Sequence, residues 1–208
     1  MKFKLWQILI LTLIFFQSGL NCKKETENQD CQSRYSYSSS VKIPLTEIPN
    51  AGIICFYNKP SYDSLNQFLS RFSEIKYLSN SSNGNWISIR INSESCPKTD
   101  LLFAQINEDP RVSNCNKSLV TQTGSQIGVL DKVICKLKLE STWEKVHKLI
   151  INTNTTVIEY SQNTRTLIVK VDKNSEGDAL DIANGLFESG FFEWTEAEII
   201  DSSYKTTL

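Results

Sequence analysis

SEGDALDIANGLFESGFFEWTEAEI, residues 175–199, holds a whole helix and the strand that follows it. Ser175 and Asp178 are helix-capping residue types, whose side-chain oxygens accept from the orphan N–H groups of a first turn. Ala179, Ile182, Ala183, Leu186 and Phe187 then recur at the 3.6-residue period of a helix lying on a sheet. Gly190 stands where a left-handed C-terminal cap belongs, and Phe191 to Ile199 reads as a closing strand.

Working upstream, Leu167 to Val171 and Thr155 to Tyr160 form a hairpin around Ser161-Gln162-Asn163-Thr164. Before it, Ser141 and Glu144 have capping-box spacing at the head of a helix carrying Trp143, Val146 and Ile150. Val133, Cys135, Leu137 and Leu139 alternate with Ile134, Lys136 and Lys138, a strand with one wetter face. The order is β-α-β-β-α-β.

The same order is expected earlier. Ala51 to Tyr57 is a short apolar run suited to a buried strand, and Leu65, Phe68, Leu69 and Phe72 make a helical stripe over Tyr62 to Phe72. Glu74 to Leu78 and Trp86 to Ile91 read as a hairpin around Asn83-Gly84-Asn85. Pro97 opens a helix bearing Leu102 and Ile106, and Arg111 to Val120 returns as a strand. Cys55 and Cys135, Ile87 and Leu167, and Leu102 and Ile182 are each 80 residues apart. One offset across strand, hairpin and helix points to internal duplication. The expected fold is α+β, two tandem ferredoxin-like (β-α-β-β-α-β) units with antiparallel sheets, at 41–122 and 125–200. The competing arrangement is a single larger α+β sheet made from the same elements.

Lys2, Lys4 and the apolar run Leu5 to Phe16 make residues 1–21 a signal peptide, since twelve apolar residues fall short of the roughly 20 that span a bilayer. Gly19-Leu20-Asn21-Cys22 resembles a relaxed bacterial lipobox, which implies lipidation of Cys22 and attachment to the bilayer in a Gram-negative envelope, in the outer membrane. Residues 22–40 then form a tether, because Lys23 to Gln32 has almost no apolar side chain to bury.

The 208 residues carry a net charge of -1, so phosphate-driven binding of nucleic acid is not expected. His147 is the single histidine, which excludes sites needing two imidazoles. With no C-x-x-C, H-E-x-x-H or Gly-rich phosphate loop, neither metal, cofactor nor catalysis is expected. Lipidation of Cys22 leaves an odd five cysteines, of which Cys55, Cys96, Cys115 and Cys135 are the disulfide candidates; several buried thiols are the competing arrangement. Trp143, Trp194, Phe187, Phe191 and Phe192 gather aromatic area in the second half, as core or as a docking face.

Residues 175–199 resemble the end of the N-terminal prodomain of fervidolysin-type and other subtilisin-like serine peptidases. There a helix reading A-L-x-x-A-N-x-L-Y/F-E-S-G runs into a strand reading F-x-x-A-E-P-[DN]-F. Ala179 to Gly190 match the helix, and Phe192 and Glu196 match the strand, while Thr195, Ala197, Glu198 and Ile199 replace the family's Ala, Pro, Asp/Asn and Phe. The resemblance extends over about residues 33–200 and is specific in the last 25. It implies a unit that assists folding of a protease and blocks its active site with the segment after the last strand, here 201–208. Phe192, Trp194, Glu196, Asp201 and Tyr204 are then the expected protease-contacting residues. With no catalytic domain expected after them, the resemblance implies a separate subtilisin-like protease as the partner. The alternatives are a surface lipoprotein that binds host or envelope material, or a shortened protease remnant without activity.

Overall fold

A computed structural model describes residues 31–38, 40–80, 84–93 and 95–202. The signal peptide, Cys22, most of the expected tether, and the tail from 203 onward, Tyr204 included, lie outside the described residues. The elements run β1 (Ser33–Ser38), β2 (Val41–Phe56), α1 (Tyr62–Leu69), β3 (Ile75–Asn80), β4 (Trp86–Ile91), α2 (Cys96–Asn107) and β5 (Val112–Thr121). They continue as β6 (Gln126–Leu137), α3 (Trp143–Asn152), β7 (Thr156–Ser161), β8 (Thr166–Lys170), α4 (Ala179–Glu188) and β9 (Phe192–Asp201). No helix among the described residues is long and apolar enough to cross a membrane.

The fold is α+β with antiparallel pairing. Strand order is β3-β4-β2-β5-β6-β8-β7, with β1 also on β2 and β9 also on β6. The first half therefore reads β5-β2-β4-β3 and the second β9-β6-β8-β7. The halves share one nine-stranded sheet, joined where Leu119 and Val120 of β5 pair with Ile127 and Gln126 of β6. Gly124 turns that hairpin at φ +83°, where a side chain would strain the backbone.

Helices cover one face of each half. In the first, Leu65 and Phe68 of α1 and Leu102 and Ile106 of α2 pack on Ile54, Phe56, Ile87 and Ile89. In the second, Val146 and Ile150 of α3 and Ile182, Ala183 and Leu186 of α4 pack on Val133, Cys135, Leu137, Leu167 and Val169. Leu45 and Leu119 of the first half are buried in that second core. A third cluster, Ile53, Cys55 and Leu130 with Trp86 and Ile200, lies on the opposite face of β2 and ties the halves together. At Gly128 a Cβ would collide with Ile53, so this close crossing of β6 over β2 needs glycine.

Several expectations change. The tether ends early, because Ser33–Ser38 pairs with Val41–Thr46 as β1. Its alternating Tyr35 and Tyr37 are half-buried. Strand β2 begins ten residues before Ala51. Pro44 sits within the β1 pairing, and Pro49 falls in the irregular stretch of the β5 pairing between Glu47 and Gly52. The Ser141/Glu144 capping box does not form, since the Ser141 hydroxyl donates to the Phe191 carbonyl at 2.6 Å and the N-cap position of α3 is Thr142, whose side chain makes no capping bond. Asp178 caps α4 with a full capping box to Asp181, whereas the Ser175 hydroxyl oxygen accepts from the Asp172 N–H.

Of the disulfide candidates, only Cys96 is bridged, and its partner is Cys31. Cys55, Cys115 and Cys135 are buried thiols. Register explains the correction. Cys115 pairs with Ile54 rather than Cys55, so the two sulfurs on adjacent strands point to opposite faces. Cys135 is enclosed by the second core. Burial pushes all three thiols above their usual pKa, which keeps them protonated and unreactive.

Candidate functional site

The expected contact residues divide between two faces of β9. Phe192 pairs with Leu137 and Trp194 with Lys136, so Glu193 is an extra residue in the strand. That bulge turns Phe192 into the second core, where it is 1% exposed, and leaves Trp194 on the opposite face. Strict alternation would have put the two aromatics together, and Phe192 is not a contact residue. Glu196 and Asp201 are exposed.

Among the described residues, no helix lies on the face that carries Trp194; those of the second half pack on the Phe192 face. Trp194 and Glu196 sit opposite Lys136 and Ile134 of β6, whose other neighbours are Thr166 and Ile168 of β8. Ile134, Ile168 and Trp194 are half-buried. Lys136 pairs with Glu193 at 3.0 Å and Lys132 with Glu198 at 3.5 Å. The result is a narrow apolar strip framed by charge, the composition of a docking patch with a polar rim. At one end, Asp131 is buried in contact with Lys170 and takes a 3.3 Å hydrogen bond from the Ser113 hydroxyl, which anchors the strip to the first half.

A second feature lies at the free side of β9. A cavity of about 320 Å³ is lined by Ser36–Tyr37–Ser38 of β1 and Thr195–Glu196–Ala197 of β9. Leu45, Leu119 and Val129 contribute apolar wall, and Leu180, Ala183 and Asn184 of α4 close one side. Strands β1, β2, β5, β6 and β9 are hydrogen-bonded in that order, so the two end strands of this run curve round to border one space.

Ion pairs hold β1 at that border. Arg34 grips both Asp178 oxygens, at 2.5 and 2.7 Å, and Asp181 at 2.6 Å. Burial opposes the Arg34 charge, but bonds to Asp178 and Asp181 outweigh it and raise its pKa. Glu47 lies 3.6 Å from Arg34 and 2.7 Å from Lys117, which reaches Asp100 at 2.6 Å. Tyr35 and Tyr37 both donate to Glu188, and Asn184 donates to the Tyr35 carbonyl at 2.7 Å. Sequence reasoning missed this cluster because it assigned 22–40 to the tether. The alternating Tyr-Ser-Tyr-Ser of 35–38 was the available signal.

His147 is exposed on α3 and stacks on Trp143, which stacks in turn on Tyr160. Among the described residues, no group of three or more His, Cys, Asp or Glu side chains is arranged to hold a metal ion. No family model matches the chain. No curated protein matches it either. Among solved structures it is similar to the acetolactate synthase small subunit from Thermotoga maritima, with 11% identity, 74% of this chain and 98% of that chain covered, and a TM-score of 0.27. At that score the likeness carries nothing over to this chain.

Proposed function

We propose that this chain is a non-catalytic, exported lipoprotein, anchored through Cys22, whose two tandem ferredoxin-like units form a protein-binding module. Its partner is a separate subtilisin-like protease that it inhibits or helps to fold. The observation that carries the reading is the strip of Ile134, Ile168 and Trp194, which no helix among the described residues covers. A half-buried Trp between short aliphatic side chains and ion pairs is the type of residue on which binding energy concentrates. Two further supports are the β-α-β-β-α-β order that runs twice along the chain, and the helix-to-strand stretch 179–196, which closes the second run.

The tandem reading is supported by parity of position. β9 covers 192–201 and β5 covers 112–121, an offset of 80 that also relates the hairpins β7–β8 and β3–β4 to within a residue. Within each half the strand order is fourth, first, third, second, as ferredoxin-like units require.

The test is inhibition of a subtilisin-like protease from the same cell by the mature chain. Trp194→Ala is expected to weaken inhibition at least tenfold, in the range of an interface hot spot, and deletion of residues 201–208 to weaken it further. Inhibition absent from the parent chain, or unchanged in both variants, overturns the reading. Lipid attachment is tested separately with a fatty-acid analogue, whose label should be lost in Cys22→Ala.

A further inference from the structure

We infer that the border between β1 and β9 is a strand-addition site that takes an extended segment of another protein, with basic and apolar side chains in alternation. The inference shares with the proposed function that the ligand is a polypeptide and that Glu196 borders its site, but it rests on the cavity and edge between β1 and β9 and not on Ile134, Ile168 and Trp194.

The lining shows what kind of group the cavity meets. Successive side chains of a strand point to opposite faces, so a space that touches three residues in a row touches the strand's edge. Both Ser36–Tyr37–Ser38 and Thr195–Glu196–Ala197 do this. Among the described residues, β9 pairs with β6 alone, and its other edge carries no strand. A purely aliphatic ligand would cover these main-chain groups without bonding them, which is costly; an amide-bearing chain bonds them while its side chain enters the apolar wall.

The molecule contains its own precedent. The corresponding edge of β5 is occupied, because Leu119 and Val120 pair with Ile127 and Gln126 of β6. Ile199 and Ile200 stand 80 residues further on, paired with Val129 and Gly128 of β6 on one edge and, among the described residues, with no strand on the other. Leu119 is 0% exposed and Ile199 is 53% exposed. An edge that is covered in the first half is thus open in the second, and an exposed open edge invites pairing.

Charge selects the occupant. Glu193 and Glu198 are held by Lys136 and Lys132, but the exposed Glu196 has no ion pair among the described residues. A basic residue beside the edge complements it. A second copy of β9 would bring Glu193, Glu196, Glu198 and Asp201 against their like, so self-pairing is opposed.

The probe is a fluorescent heptapeptide, Lys-Val-Lys-Phe-Lys-Val-Lys, titrated into the mature chain. Binding is read by anisotropy and by amide shifts in a nitrogen-15 spectrum. Binding is expected, with shifts at 36–38 and 195–199, and about tenfold or more loss when alternate peptide nitrogens are methylated. Ile199→Lys, at an exposed position, is expected to weaken it several-fold, and Ala183→Met, which fills the cavity, more strongly; both variants are checked for native circular dichroism. No binding, tolerance of the methylated peptide, or displacement by laurate alone overturns the inference. Shifts confined to Ile134, Ile168 and Trp194 also overturn it, and leave the proposed function standing. Failure of protease inhibition with shifts at 195–199 intact does the reverse.

Discussion

Asp109 is the residue on which the first half's helix-strand corner turns. Its carboxylate accepts from the Arg111 N–H, Nε and Nη2 at 2.8–3.0 Å and is also paired with Arg71. Hydrogen bonding to the Arg111 side chain is the largest cause that holds its pKa well below the usual carboxylate range. A depressed folded pKa contributes stability at neutral pH that is lost as pH falls from about 4 toward the folded value. The urea midpoint is therefore expected to fall through this acid range, and Asp109→Asn should both lower it at pH 7 and flatten the slope below pH 4. An unchanged slope in the variant would remove Asp109 as the cause. Cys31 and Cys96 act at the same scale, closing a separation of 65 residues and fastening the approach to β1 onto the start of α2.

At the scale of elements, what could be read in advance follows the local periodicities. The helical stripes and the alternation of Val133, Cys135 and Leu137 in β6 matched the elements found, because each depends on neighbours in the chain, but α1 ends at Leu69, before Phe72, and Leu139 lies beyond β6 and is 86% exposed. What could not be read depended on register. Neither the parity that separates Cys55 from Cys115 nor the bulge at Glu193 is visible without the partner strand. Strand β1 was hidden for a different reason: it is held by Asp178, Asp181 and Glu188, more than 140 residues away. The bulge carries a direct prediction. Deleting Glu193 makes Phe192 and Trp194 consecutive, so regular alternation keeps Phe192 in the core and Trp194 on the opposite face, and the expected loss is that of the exposed Lys136–Glu193 ion pair, about 1 kcal/mol or less. Chemical denaturation measures this, and a loss of about 3 kcal/mol or more would show that the bulge itself, rather than the spacing, holds the two faces.

Across the whole molecule, the 80-residue offset locates the corresponding elements, yet the halves do not have independent cores. Leu45 and Leu119 lie in the second core, and Ile53 and Cys55 pack against Leu130. A fragment of residues 125–208 therefore loses buried partners and should unfold well below the intact chain. The candidate site was legible in part. Trp194 and Glu196 belong to the uncovered face and the β9 edge, while Phe192 serves the core that positions them.

On the proposed reading, a protease docks on the face of the second half that no described helix covers. Amide hydrogen exchange of the mature chain, with and without a subtilisin-like protease from the same cell, measures this. Added protection is expected at residues 132–136, 166–170 and 193–198, with α3 and α4 unchanged. Protection confined to those helices, or none anywhere at saturating protease, would rule the docking face out.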